Sequence, residues 1–110
     1  MKSRNGISIN SLVPNEDAEI VLLEELYKAS SKLDTATLIS RAMSHFPQIQ
    51  TPEDLNRETP SGRPWWQGRF RFDLSRLGSK GDAINIKRGW WRISDKGLRR
   101  IEQRSRTTHG

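Results

Sequence analysis

No cysteine occurs among the 110 residues. That absence excludes disulfide frameworks, thiolate zinc sites and cysteine nucleophiles together. It suits a reducing compartment. Hydrophobic residues are scarce at 33%, a low share for a globular chain. No apolar run approaches the roughly 20 residues of a membrane span. The stretch MKSRNGISIN lacks an apolar core and does not read as a secretory signal. The two histidines, His45 and His109, lie far apart, so no metal site is expected. The carboxylates are not gathered with a lysine as a divalent-metal nuclease needs, so neither a catalytic residue nor a cofactor is expected. The chain therefore reads as a cytoplasmic, non-catalytic module.

What the sequence does have is positive charge, unevenly placed. Residues 1–60 carry 6 Lys+Arg against 9 Asp+Glu, and residues 61–110 carry 13 against 4, within a net charge of +6. A basic half on a near-neutral scaffold is the footprint of a polyanion binder.

Along the chain, residues 1–14 read as a flexible arm with Gly6 and Pro14 as breakers. Asn15 is the expected N-cap of a first helix over 16–29, whose apolar face is Ile20, Leu23, Leu26 and Tyr27. Asp34 caps a second helix over 35–46, stopped by Pro47. Pro47, Pro52, Pro60 and Gly62 mark a loop, with Thr51 and Pro52 able to start one short helical turn. A third helix is predicted over 64–77. Trp66, Phe70, Leu74 and Leu77 are its buried stripe, and Gly78 is its terminating glycine. The period then changes to two. Residues 83–86 and 90–94 form a hairpin whose turn, Lys87-Arg88-Gly89, needs a positive φ at glycine. A short basic helix over 95–105 and a tail over 106–110 complete the chain.

Helices followed by a two-stranded hairpin predict an α+β winged helix over 15–105, with the third helix and the wing meeting double-stranded DNA. The residue types fit. Gln67, Arg69, Arg71 and Arg76 lie off the buried stripe, and Arg and Gln can grip guanine and adenine edges bidentately. Lys87 and Arg88 at the wing tip, with Arg63, Lys80 and Arg92, suit phosphate contact. On this reading the protein is nucleoid-associated. Asp73 is expected to pair with Arg69 or Arg76 one turn away. A stand-alone regulator and a protein-binding winged helix, with the acidic first helix as partner surface, are the alternatives.

The stretch Gly89-Trp90-Trp91-Arg92-Ile93-Ser94-Asp95-Lys96-Gly97 resembles the end of the Mrr-type N-terminal winged-helix domain. The aromatic and arginine-rich stretch from Trp66 to Leu77 is similar to that family's third helix. The resemblance covers roughly residues 16–98 and extends to the winged helices of DpnI-type nucleases. It implies the DNA-binding module of a modification-dependent restriction endonuclease, covalently joined to a nuclease domain that this sequence lacks. One departure is Gly78-Ser79-Lys80-Gly81-Asp82, where the family usually has a leucine-rich entry to the wing.

Four tryptophans fall in two adjacent pairs. Trp66 and Trp91 are assigned to the core by their phase. Trp65 and Trp90 then point outward, and a further expectation is that they flank a pocket for a methylated base.

Overall fold

A computed structural model describes residues 12–109, with side chains through Arg104. It is α+β. Among the described residues, five α-helices accompany a three-stranded antiparallel sheet, an arrangement compatible with a winged helix.

Helix α1, Asn15–Ala29, carries Glu16 and Asp17 in its first turn, where the helix dipole favours acid. Its N-cap is Pro14 rather than Asn15, and no side chain caps it. Asn15 Oδ1 instead accepts from Arg69 of a later helix at 2.7 Å. The buried apolar face is Ala18, Ile20, Leu22, Leu23 and Leu26. Tyr27, expected within it, is 58% exposed. Its phase falls between those of the buried Leu23 and Ile20, so its exposure comes from its place in the last turn of α1 and not from its phase. The chain reverses at Ser30 in the left-handed region, φ 66°.

Strand β1 is only Leu33–Asp34. Asp34 then caps α2, Thr35–Met43, by accepting from the Thr37 amide at 3.0 Å. Helix α2 stops three residues earlier than Pro47 demands. Gln50 Nε2 donates to the Met43 carbonyl at 2.7 Å and to that of Phe46 at 3.2 Å, satisfying acceptors left at the helix end.

The proline-rich stretch is ordered. A 3-10 turn, Pro47–Ile49, leads into the short helix α3, Pro52–Leu55, and Thr51 Oγ1 accepts from the Asp54 amide as the cap. Thr59 and Arg63 then close a tight turn through Thr59 N–H to the Arg63 carbonyl at 2.8 Å, with Gly62 at φ 85°.

Helix α4, Trp65–Lys80, is the central element. It runs three residues past the predicted end. Gly81, φ 85°, is the terminating glycine, and the Asp82 amide reaches back to the Leu77 carbonyl at 3.0 Å. Gly78 lies inside the helix for a packing reason: a Cβ there would sit 3.1 Å from the Trp91 ring. Trp66, Phe70, Leu74 and Leu77 are buried as their spacing predicts. With Phe46 they form the centre of the core, Phe46 and Phe70 stacking at 5.7 Å.

Strands β2, Ala83–Lys87, and β3, Trp90–Ile93, form the hairpin, with Gly89 at φ 82°. The sheet order is β1-β3-β2, so β1 covers the other edge of β3 through Leu33–Trp91 and Asp34–Trp90 pairs. Two residues are too few to show alternation, which is why the third strand is invisible to periodicity.

Ser94 ends the sheet and caps helix α5, Asp95–His109. Its hydroxyl accepts from the Gly97 amide at 3.0 Å and donates to the carbonyl of Gly81 at 2.6 Å. The Ser-Asp-Lys-Gly step is thus a helix start fastened to the end of α4. Helix α5 continues to His109 through the expected tail. At the other end the expected arm begins to pack before residue 14, since Val13 is fully buried. The rest of the arm, residues 1–11, lies outside the described residues.

Candidate nucleic-acid interface

The geometry sorts the arginines and lysines of the basic half into two groups. One group turns inward. Glu19 of α1 is 2% exposed, and three cations reach it: Arg76 Nε at 3.1 Å, Lys80 Nζ at 2.9 Å and Arg100 at 2.7 Å. Asp73 on α4 is buried and held by Arg69 at 2.8 Å and Arg76 at 2.6 Å. Both arginines that sequence spacing offered as its partners are used. Arg69 also donates to the Val13 carbonyl and to Asn15, tying the start of α1 to α4. Arg100 adds Glu16 and Asp82, both at 2.8 Å. Arg104 approaches Glu16 and Asp17 at 3.5 Å.

This network answers an electrostatic problem. Burial alone pushes a carboxyl pKa up. For Glu19 the hydrogen bonds from Lys80 and Arg100 outweigh burial and hold the group below the ordinary glutamate range. For Arg100 the balance likewise favours charge: burial opposes it, but Glu19, Asp82 and Glu16 raise its pKa. Glu25, on another turn of α1, is lowered too, burial being outweighed by His45 at 2.5 Å and Lys28 at 3.0 Å.

Arg69, Arg76 and Lys80, expected at DNA, therefore lie on the α4 flank that faces α1, each paired with acid. On a helix their phase differs by roughly a third of a turn or more from that of Arg71, since neighbours are about 100° apart. Spacing distinguishes buried from unburied positions. It does not say which unburied flank meets a second, acidic helix.

The second group faces solvent. Arg63, Arg71, Lys87, Arg88 and Arg92 are exposed, and among the described residues no acid lies within ion-pair distance of any of them. Arg63 ends the tight turn ahead of α4. Arg71 and Gln67 line a cleft of about 360 Å³ between α2 and α4, together with Ser40, Met43 and Leu55. Lys87 and Arg88 form the hairpin tip, where Asn85 Nδ2 donates to the carbonyls of Lys87 and Trp90, both at 2.9 Å. Arg92 is directed elsewhere, toward a cleft shared with Tyr27, Ser30 and Leu98 beneath the end of α1.

Of the tryptophans only Trp66 is fully buried, and Trp65, expected to point outward, packs against the core as Trp91 does. Trp66 is 1% exposed. Trp91 is half-buried, packed on Gly78 and donating its indole N–H to Thr35 Oγ1 at 3.2 Å. Trp65 is half-buried edge-on against Trp66, with ring centres 4.7 Å apart. Trp90 is half-buried beneath the Lys32 ammonium, 5.2 Å from its ring centre. Trp65 and Trp90 are not brought together. Trp65 opens α4, whereas Trp91, the neighbour of Trp90, rests on Gly78 of the same helix. Thirteen residues at about 1.5 Å rise separate those positions by about 20 Å.

One exposed residue of this surface escaped the sequence reading. Phe72 stands 62% exposed on the outer face of α4. The signal was available: its phase is opposite the Trp66–Phe70–Leu74–Leu77 stripe, which puts an aromatic on the polar side.

Among the described residues no group of His, Cys, Asp and Glu could hold a metal ion, and no helix is long and apolar enough to cross a membrane. Neither a curated protein nor a solved structure matches the chain. The family model of the Mrr N-terminal domain matches residues 20–103, from the middle of α1 through most of α5. The domain is thus of a kind associated with restriction systems and is the N-terminal module of that architecture, not its nuclease. The chain belongs to the Mrr N-terminal domain family.

Proposed function

We propose that this domain binds double-stranded DNA, with the outer face of α4 in the major groove and the β2–β3 hairpin against the flanking backbone. In that role it is the specificity module of a restriction endonuclease, and phosphodiester cleavage falls to a separate nuclease domain.

The observation that carries this reading is the sorting of charge. The acids of α1, with Asp73 and Asp82, take up Arg69, Arg76, Lys80 and Arg100. Arg63, Arg71, Lys87 and Arg88 are left uncompensated on an exposed helix face, the turn before it and the hairpin tip. Phosphate contacts by such residues position a protein on DNA, and side chains on the helix face read base edges. A protein partner on the acidic first helix is the less favoured reading, because Glu16 and Glu19 are engaged by arginines of this same chain.

The test is duplex binding by fluorescence anisotropy across salt. Each phosphate neutralised contributes about −0.9 to the log–log slope. Arg71→Ala and Arg88→Ala are each expected to make the slope shallower by about that amount. Absence of duplex binding at about 50 mM salt would overturn the proposal, since electrostatic attraction is strongest there.

A further inference from the structure

On the outer face of α4 an aromatic ring stands among small residues. Phe72 is 62% exposed. Gly68 lies one turn before it, and Ser75 and Ser79 follow at helical spacing, all three exposed. The ring is not loose. The Arg76 guanidinium lies 5.1 Å from its centre, and that guanidinium is itself fixed by Glu19 at 3.1 Å and Asp73 at 2.6 Å. A chain of contacts from the buried acids to the surface thus holds the ring in place. An aromatic already ordered before binding loses little freedom on docking.

Gly68 adds an independent observation. A glycine inside a helix costs about 1 kcal/mol against alanine. At Gly78 and Gly97 a Cβ would strike neighbouring atoms, which explains those glycines. At Gly68, apart from its own turn of helix, no atom of the described residues lies within 4 Å of where a Cβ would be. Packing gives no reason for it, whereas close approach of a ligand to the helix backbone does.

We propose that Phe72 reads the C5-methyl group of a pyrimidine, thymine in ordinary DNA, with the bare backbone at Gly68 letting the base edges come close. This rests on the DNA-binding reading above. The chemistry follows from what a major groove displays. Its base edges carry donors and acceptors, which a phenyl ring cannot use, and one apolar group, the pyrimidine C5-methyl. A lone ring bordered by Gly68, Ser75 and Arg76 is small for a protein interface, whose anchors sit in larger apolar patches.

The experiment compares a random-sequence duplex pool made with thymine and the same pool made with uracil, which removes only the methyl. Wild-type protein is expected to bind the uracil pool about fourfold more weakly, the value of one buried methyl-sized group. Phe72→Ala is expected to bind the two pools equally and to keep the wild-type salt slope, with its fold checked by circular dichroism. Phe72→Leu should retain part of the preference. A third pool carrying 5-methylcytosine in place of cytosine identifies the source of the methyl: a gain there shows that the group is read on either base, and no gain confines the reading to thymine. Equal binding of the thymine and uracil pools by the wild type, or an undiminished preference in Phe72→Ala, overturns this proposal alone. So does self-association that Phe72→Ala abolishes while the pools bind equally, which would assign the ring to a second protein molecule. Failure to bind any pool at about 50 mM salt overturns the DNA-binding reading, and this one with it.

Discussion

The Cα of Gly97 packs directly on the carbonyl oxygen of Asp82, so closely that a Cβ would overlap that oxygen and come within 2.8 Å of Ile93 Cγ1. The contact fastens the first turn of α5 to the end of α4, beside the Ser94 hydroxyl that bridges the same two elements. Because the obstacle is backbone, it cannot swing aside.

Gly97→Ala is therefore expected to destabilise the domain by about 1–3 kcal/mol, the usual cost of overpacking, despite alanine's better helix propensity. Urea unfolding followed by circular dichroism measures it. A stability equal to or above that of the wild type would show that α5 is not locked to Asp82.

The same substitution at Gly68 is expected to act in the opposite direction. With open space around the position, Gly68→Ala should raise stability by up to about 1 kcal/mol. If the backbone there approaches DNA, the variant should bind duplex more weakly at every salt concentration. Unfolding and anisotropy on one preparation read both effects. A gain in stability with unchanged affinity would remove Gly68 from the interface.

Glu19 holds three cations, so its loss leaves Arg76, Lys80 and Arg100 partly buried beside one another. Breaking a buried pair costs about 3–5 kcal/mol. Arg76 and Arg100 are about a fifth to a third exposed, and solvent screening brings the expectation for Glu19→Gln to about 2 kcal/mol. In a domain of this size that lowers the melting temperature by roughly 10 °C. A change within about 0.5 kcal/mol would mean that the network contributes no net stability.

The pH dependence follows from the direction of the shifts. Glu19 and Glu25 have their carboxyl pKa held below the ordinary value of 4.5 in the fold. The stability they supply is fully present above that ordinary value and is lost as pH falls through the lowered folded one. The contribution of these two groups to the melting temperature should thus hold steady above about pH 5 and fall steeply below pH 4. The acid limb should flatten in Glu19→Gln, which no longer has that proton to take up. An acid limb of unchanged steepness in this variant would place the titrating groups elsewhere.

The α4 stripe, the hairpin with its glycine turn and the Asp34 cap could all be read along the chain, because each depends on residues within a few positions of one another. Helical phase buries Trp66 and Phe70 wherever the helix finds a core. A turn needing positive φ selects Gly89. The uneven charge was equally legible, and with it the expectation of a polyanion partner. What the chain alone could not decide was which positive charges remain available. Arg69 and Arg71 are two residues apart and chemically identical, yet Arg69 is sealed against Asp73 and Val13 while Arg71 opens into a cleft. That choice depends on α1, more than fifty residues earlier, docking its acids along one flank of α4. The two-residue β1 strand and the meaning of Gly78, Gly97 and Gly68 depend in the same way on which backbone or ring arrives from a distance. Local periodicity determined the elements. Only their packing determined which surface was left with unneutralised charge and an exposed ring.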